Sequence, residues 1–192
     1  MYYIVLNHSR PEIFEGGKLK SCVDYWTTQP DKAGKVRILG AGCGLKGFAS
    51  LIEVDSEANF EKVLEDSPVN DIEDVNSYQV SLLAGTETET ETEAKPGQAK
   101  FLIIAKPREP WPDTVDMPAA SSHWQQLAHS KDAEVFSIND DGGFIAVVNV
   151  ADHIELMGIL MASPVNRWGE YEIIPLIEHE AESEILAKVG VI

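Results

Sequence analysis

The chain is short of cysteine, of cations and of long apolar runs. Two cysteines, Cys22 and Cys43, stand among 192 residues, too few for a disulfide framework. Lysine and arginine total 15 against 32 acidic residues, a formal net charge of −17. A nucleic-acid-binding surface must neutralise phosphates with clustered cations, and an anionic membrane makes the same demand, so neither partner is expected. No apolar run approaches the roughly 20 residues that span a bilayer. The opening residues, MYYIVLNH, lack the basic and small-residue pattern of a secretory leader and read as a first strand. With no address visible, a cytoplasmic location is the default expectation. No pair among the five histidines has metal-site spacing, and neither a metal nor another cofactor is expected. What remains is ordinary globular composition, 44% hydrophobic and 24% charged, enough for one medium domain or two small ones.

An internal match organises the chain. Gly47–Asn70 aligns with Gly143–Asn166 over 24 residues without a gap, at an offset of 96. Eight positions are identical, including the opening Gly-Phe and the closing Ser-Pro-Val-Asn. Upstream, Tyr2-Tyr3-Ile4-Val5 matches Phe101-Leu102-Ile103-Ile104 at an offset of 99, and Trp26 matches Trp124 at 98. Two copies follow, 1–84 and 100–178, with a Thr-Glu-rich segment, 85–99, between them and a tail, 179–192. A Thr-Glu repeat has no apolar face to bury and reads as a solvated linker. The tail has room for one short helix, Ala181–Lys188.

Each copy reads β-α-β-β-α-β. Runs rich in aromatic and β-branched residues mark strands at Tyr2–Asn7, Lys35–Leu39, Phe48–Val54 and Val75–Leu83. Their partners are Phe101–Lys106, Glu134–Ile138, Phe144–Val150 and Tyr171–Ile177. First helices are expected at Leu19–Thr28 and Ala119–Ala128. Second helices start at Ser56 and at the capping box Asp152-x-x-Glu155, and stop at Pro68 and Pro164. The fold class is therefore α+β, two fused ferredoxin-like units with helices on one face of each antiparallel sheet. A bare second face is unfavourable at about 25 cal/mol per Å², so the two sheets are expected to pack face to face.

This layout resembles the dimeric α/β-barrel superfamily, and within it the muconolactone isomerase-like and YciI-like proteins. The residues that carry the resemblance are the strand starts at Tyr2 and Phe101 and the Gly-Phe strands at Gly47 and Gly143. The Ser-Pro-Val helix endings and the closing strand Tyr171–Ile177 complete it. The resemblance implies a barrel of two sheets around a small-molecule site, here as a tandem fusion, and leaves a homodimer open. It implies an isomerase acting by proton transfer on an oxygenated apolar or aromatic-derived compound. A cofactor-independent monooxygenase and a non-catalytic ligand-binding or assembly protein are the alternatives.

Alternation supplies the candidate residues. Phe48, Ser50, Ile52 and Val54 share one face of their strand, and Ala49, Leu51 and Glu53 the other. An ionised carboxylate beneath packed helices is costly, so Glu53 is expected to face the space between the sheets, as is its repeat partner Asn149. The same reasoning sets Asn7 and its repeat partner Lys106 at the cavity end of the first strands. A desolvated carboxylate has a raised pKa and serves as a general base, the role expected of Glu53. Lys106, Asn7 and Asn149 would hold a carboxylate or enolate oxygen. His8 would act as acid or base at the cavity mouth, and Tyr3 would line the wall. The plainer alternative is that Glu53 and Lys106 form a structural ion pair.

Other features read as structural. Gly42–Gly47 matches G-x-G-x-x-G, but a strand rather than a helix is expected to follow, which makes it a glycine-rich hairpin. Trp26 and Trp124 pack the first helices on their sheets. His123, His129, His153 and His179 read as surface or capping groups. Cys43 lacks a nearby base, and Cys22 reads as buried.

Overall fold

Among the described residues, eight antiparallel strands and three continuous helices are built from the expected segments. The computed structural model describes residues 1–9, 21, 25, 35–42, 48–67, 73–83, 95–130, 132–140 and 142–177. The strands are β1 (Tyr2–Ser9), β2 (Lys35–Gly42), β3 (Phe48–Glu53), β4 (Glu73–Leu82), β5 (Ala99–Pro107), β6 (Ala133–Ile138), β7 (Phe144–Val150) and β8 (Gly169–Ile177). The helices are α1 (Glu57–Glu65), α2 (Met117–His129) and α3 (His153–Ala162). Ser21 and Tyr25, within the first expected helix, are helical. Most of the Thr-Glu segment, the tail, Cys22, Trp26, Cys43, Pro68 and His179 lie outside the described residues.

Two compact units form, Met1–Gln79 with Leu176–Ile192, and Val80–Pro175. The divisions fall inside β4 and β8, not in the linker. Val80–Leu82 pair with β6 in the second unit, and Leu176 and Ile177 pair with β2 in the first. In the first unit β3 lies between β1 and β2; in the second the order is β8-β5-β7-β6-β4. The copies 1–84 and 100–178 remain a proposal about duplication, and units of packing need not coincide with them.

Helix starts follow from local chemistry. Ser56 accepts from the Asn59 N–H at 3.3 Å, and Asp152 Oδ1 accepts from Ile154 N and Glu155 N at 2.8 and 2.9 Å. Glu155 reaches back to accept from Ala151 N at 2.7 Å, one residue beyond the ordinary capping-box donor. Gly142, at φ +64° in the β6–β7 hairpin, takes a conformation that disfavours a side chain, and its carbonyl accepts from Trp111 Nε1 at 3.1 Å. Next to it, a Cβ on Gly143 would run into the Ala105 carbonyl of β5, which gives the Gly-Phe strand start its physical reason. A strand follows Gly42–Gly47 at Phe48, so no phosphate-binding helix opens there.

One register corrects the repeat. Tyr2 pairs with Glu53, and Lys100 pairs with Asn149. Since Glu53 and Asn149 are equivalent at 96, Tyr2 is equivalent to Lys100, an offset of 98 and not 99. Trp26 and Trp124 already carry that offset. The true partner of His8 is therefore Lys106, and that of Asn7 is Ala105. A slip of one residue exchanges the two faces of a strand.

Candidate functional site

In the first unit, Tyr3 stacks on Phe60 of α1, ring centroids 3.8 Å apart. Tyr3, Val5 and Asn7 therefore face the helix side. Asn7 is buried, and its Oδ1 has no hydrogen-bond partner among the described residues. Glu53 and His8 alternate onto the opposite face. Glu53 is 44% exposed, within 3.5 Å of the Tyr2 hydroxyl and 3.9 Å of Lys35 Nζ. The desolvation expected around it is absent.

In the second unit, Asn149 and Lys106 share the face turned away from the helices but stand at opposite ends of it. Asn149 pairs with Lys100, six residues before Lys106, roughly 20 Å along a strand. Antiparallel pairing has the same effect in the first unit, where Tyr2, not Asn7, lies beside Glu53. The fold thus does not gather the six sequence-derived residues: Asn7 and Tyr3 face one way, Glu53 and His8 the other, and Lys106 is remote from Asn149. Lys100 and Glu134, both buried on the face that carries Asn149, were not among them.

The helix side of the second unit carries a different constellation. Its core joins Ile103 and Ala105 of β5, Trp124 of α2, Phe144 and Ala146 of β7, Leu156 and Leu160 of α3, and Val165, with Tyr171 of β8 packed against it. Trp124 is fully buried and stacks on Phe144 at 5.8 Å. Within this apolar layer, Trp124 Nε1, Tyr171 Oη, Ser163 Oγ and His123 Nε2 are buried with no hydrogen-bond partner among the described residues. Buried polar groups are nearly always paired, and each exception calls for a missing partner.

The four groups fall into two pairs. Ser163 sits close enough to Tyr171 to oppose the effect of burial on its hydroxyl, yet the two oxygens close no direct hydrogen bond. His123 faces the Ile159 carbonyl, one helical turn before Ser163. Its ring centroid is 5.4 Å from that of Trp124. The repeat gives this contact a counterpart: the Tyr25 hydroxyl donates to the Val63 carbonyl at 2.6 Å. Tyr25 and Val63 are the equivalents of His123 and Ile159. In the second unit the imidazole faces the Ile159 carbonyl, and its Nε2 has no hydrogen-bond partner among the described residues.

Electrostatics fixes the roles open to these groups. Burial raises the Tyr171 pKa, so its hydroxyl stays protonated at neutral pH. The Trp124 indole donates and cannot accept. Burial lowers the His123 pKa, offset in part by the Ile159 carbonyl, so the imidazole is held neutral. One obligate donor, two hydroxyls of either sense and one neutral base in an apolar setting suit a flat molecule bearing an acceptor oxygen. Among the described residues no group of three histidine, cysteine or carboxylate side chains could hold a metal ion. His123 and Trp124 were visible in the sequence but read there as a surface group and a packing group. Ser163 and Tyr171 were visible as a helix ending and a strand start.

No protein-family model matches the chain, and no curated protein does. Solved structures do. A heme-binding protein from Thermus thermophilus superposes with a TM-score of 0.56 at 12% identity, over 97% of this chain and 94% of that one. A candidate monooxygenase from Lactobacillus acidophilus gives 0.53 at 11%, over 92% of each chain. An anthrone oxidase-like protein gives 0.52 at 13%, over 92% of each. At these identities the likeness shows the fold alone, an α+β fold of the α/β-barrel type.

Proposed function

We propose that this chain is a small-molecule enzyme of the cofactor-independent monooxygenase type, acting on an oxygenated, aromatic-derived compound at the helix side of the second unit. The observation that carries the reading is the pair of buried, partnerless donors, Trp124 Nε1 and Tyr171 Oη, inside an apolar layer. The likeness to a candidate monooxygenase and to an anthrone oxidase-like protein supports it. The substrate takes the place of the partly buried rim side chains Trp111, Val115 and Met117, not of the fully buried core.

The mechanism follows from the roles. The two donors hold the substrate carbonyl oxygen and stabilise the enolate that forms when the adjacent carbon loses a proton. His123, neutral and partly buried, takes that proton. The electron-rich carbanion then reduces dioxygen. A CH₂ group gives up two C–H bonds, one oxygen atom enters as C=O and the other leaves as water, so the substrate supplies every electron. Haem does not fit this layer: Trp124, Phe144, Leu156 and Leu160 fill it at 0 to 4% exposure, and a macrocycle would require that core to be emptied. No step is routed through it.

The test is oxygen consumption with a panel of anthrone-like and phenolic compounds. Stoichiometric uptake is expected, with W124F and Y171F each lowering kcat about 100–1,000-fold while the fold is kept. Absence of uptake across the panel rejects the reading. A second reading, proton transfer of the muconolactone isomerase-like or YciI-like kind, keeps Glu53 alone of the six sequence-derived residues, as base. The Tyr2 hydroxyl beside Glu53 favours it. Its signature is solvent-proton exchange without oxygen uptake, abolished by E53Q. Retention of a ligand without turnover would mark a binding protein.

A further inference from the structure

The two second helices of the repeat differ on their outer faces. In α1 the outward positions are Ala58, Glu61, Lys62, Glu65 and Asp66, all exposed and mostly charged. Their equivalents at an offset of 96 in α3 are Ile154, Met157, Gly158, Met161 and Ala162. None of these carries a charge. Ile154 is 69% exposed, Met157 48% and Met161 68%. The inward positions do not differ in kind, since Phe60 and Leu156 are both buried. The chain itself therefore displays what this helix looks like when its outer face meets water, and α3 is not built that way.

We propose that the outward face of α3 docks on the same face of a second copy of this chain, about a twofold axis near Gly158. Charge selects this occupant. Two chains of net charge −17 repel wherever carboxylates meet. Screening confines that repulsion to about 8 Å at physiological salt, so an uncharged patch is where two copies can approach. A basic partner would choose the acidic outer face of α1 instead. An anionic lipid surface requires lysine or arginine beside the apolar stripe, and Asp152, His153 and Glu155 stand there. Gly158 has open space before it, with nothing within 4 Å of an added Cβ, which lets two backbones come close. The three large side chains and their small neighbours present roughly 400 Å² of apolar surface, within the range of a functional patch. A symmetric pair buries about 800–1,000 Å², below the roughly 1,200 Å² of a stable interface and in the range of weak, transient ones, so the dimer is reversible.

Sedimentation of the full chain between about 1 and 100 µM tests this. The wild type is expected to shift from monomer to dimer over that range. The double variant M157E/M161E, which installs the residues that α1 carries as Glu61 and Glu65, is expected to remain monomeric with unchanged helix content and thermal midpoint. A wild type that stays monomeric at 100 µM overturns the proposal. So does a variant that dimerises as well as the wild type. As a second readout independent of the double variant, G158C should form a disulfide between copies under mild oxidation, in a background with Cys22 and Cys43 replaced by serine. Failure to cross-link at concentrations where the wild type is dimeric also overturns it.

Discussion

At the scale of single residues, the candidate site depends on buried groups that have no hydrogen-bond partner among the described residues. His123 makes this measurable. Its folded pKa lies below the ordinary value of 6.5, so near and below pH 6.5 the unfolded chain binds a proton that the folded chain resists. Stability should therefore fall as pH drops from about 6.5 through the lower folded pKa. Denaturant midpoints compared between pH 7.5 and 5.5 should show the wild type losing stability relative to H123Q as pH falls. A constant difference across the range would show that His123 contributes packing alone. Tyr25, at the equivalent place, donates to Val63 and carries no such pH dependence.

At the scale of elements, the hairpin that opens β7 is fixed by one close approach. A Cβ at Gly143 would collide with the backbone carbonyl of Ala105, and backbone in the middle of a paired sheet cannot move aside cheaply. G143A is expected to cost about 2 kcal/mol in urea unfolding, whereas Ala at the exposed Gly158, with open space before it, should be neutral or slightly stabilising to the monomer. The same pair of elements governs the site. β5 and β7 hold the sheet floor, α2 brings Trp124 over it, and the end of α3 supplies Ser163. The helix caps were legible as Ser56 and Asp152-x-x-Glu155, because capping is chemistry within a few neighbouring residues.

At the scale of the whole molecule, the excess of 32 acidic over 15 basic residues opposes both folding and self-association by like-charge repulsion. Raising the salt from about 20 to 300 mM shortens the Debye length several-fold. It should raise the thermal midpoint and strengthen the α3 contact together. A dimer that weakened with salt would be held by ion pairs and not by the α3 face. Among the described residues no helix is long and apolar enough to cross a membrane.

The sequence by itself determined the α+β class, the strands and the caps, since each is written in period-two alternation or in contacts a few residues apart. It did not determine which residues meet. An offset of 99 in place of 98 for the first strand paired Asn7 with Lys106 and moved both to the wrong relation with Glu53 and Asn149. A sheet has a period of two, so a single-residue error changes a face without disturbing the hydrophobic pattern. Antiparallel pairing then set strand ends apart that the linear order had placed together. Only the tertiary structure decided that Tyr3 stacks on a helix, that Glu53 stays open to water beside Lys35, and that His123, Trp124, Ser163 and Tyr171 bury polar atoms with no partner among the described residues. Burial and pairing are properties of neighbours far apart in the chain, and no local pattern encodes them.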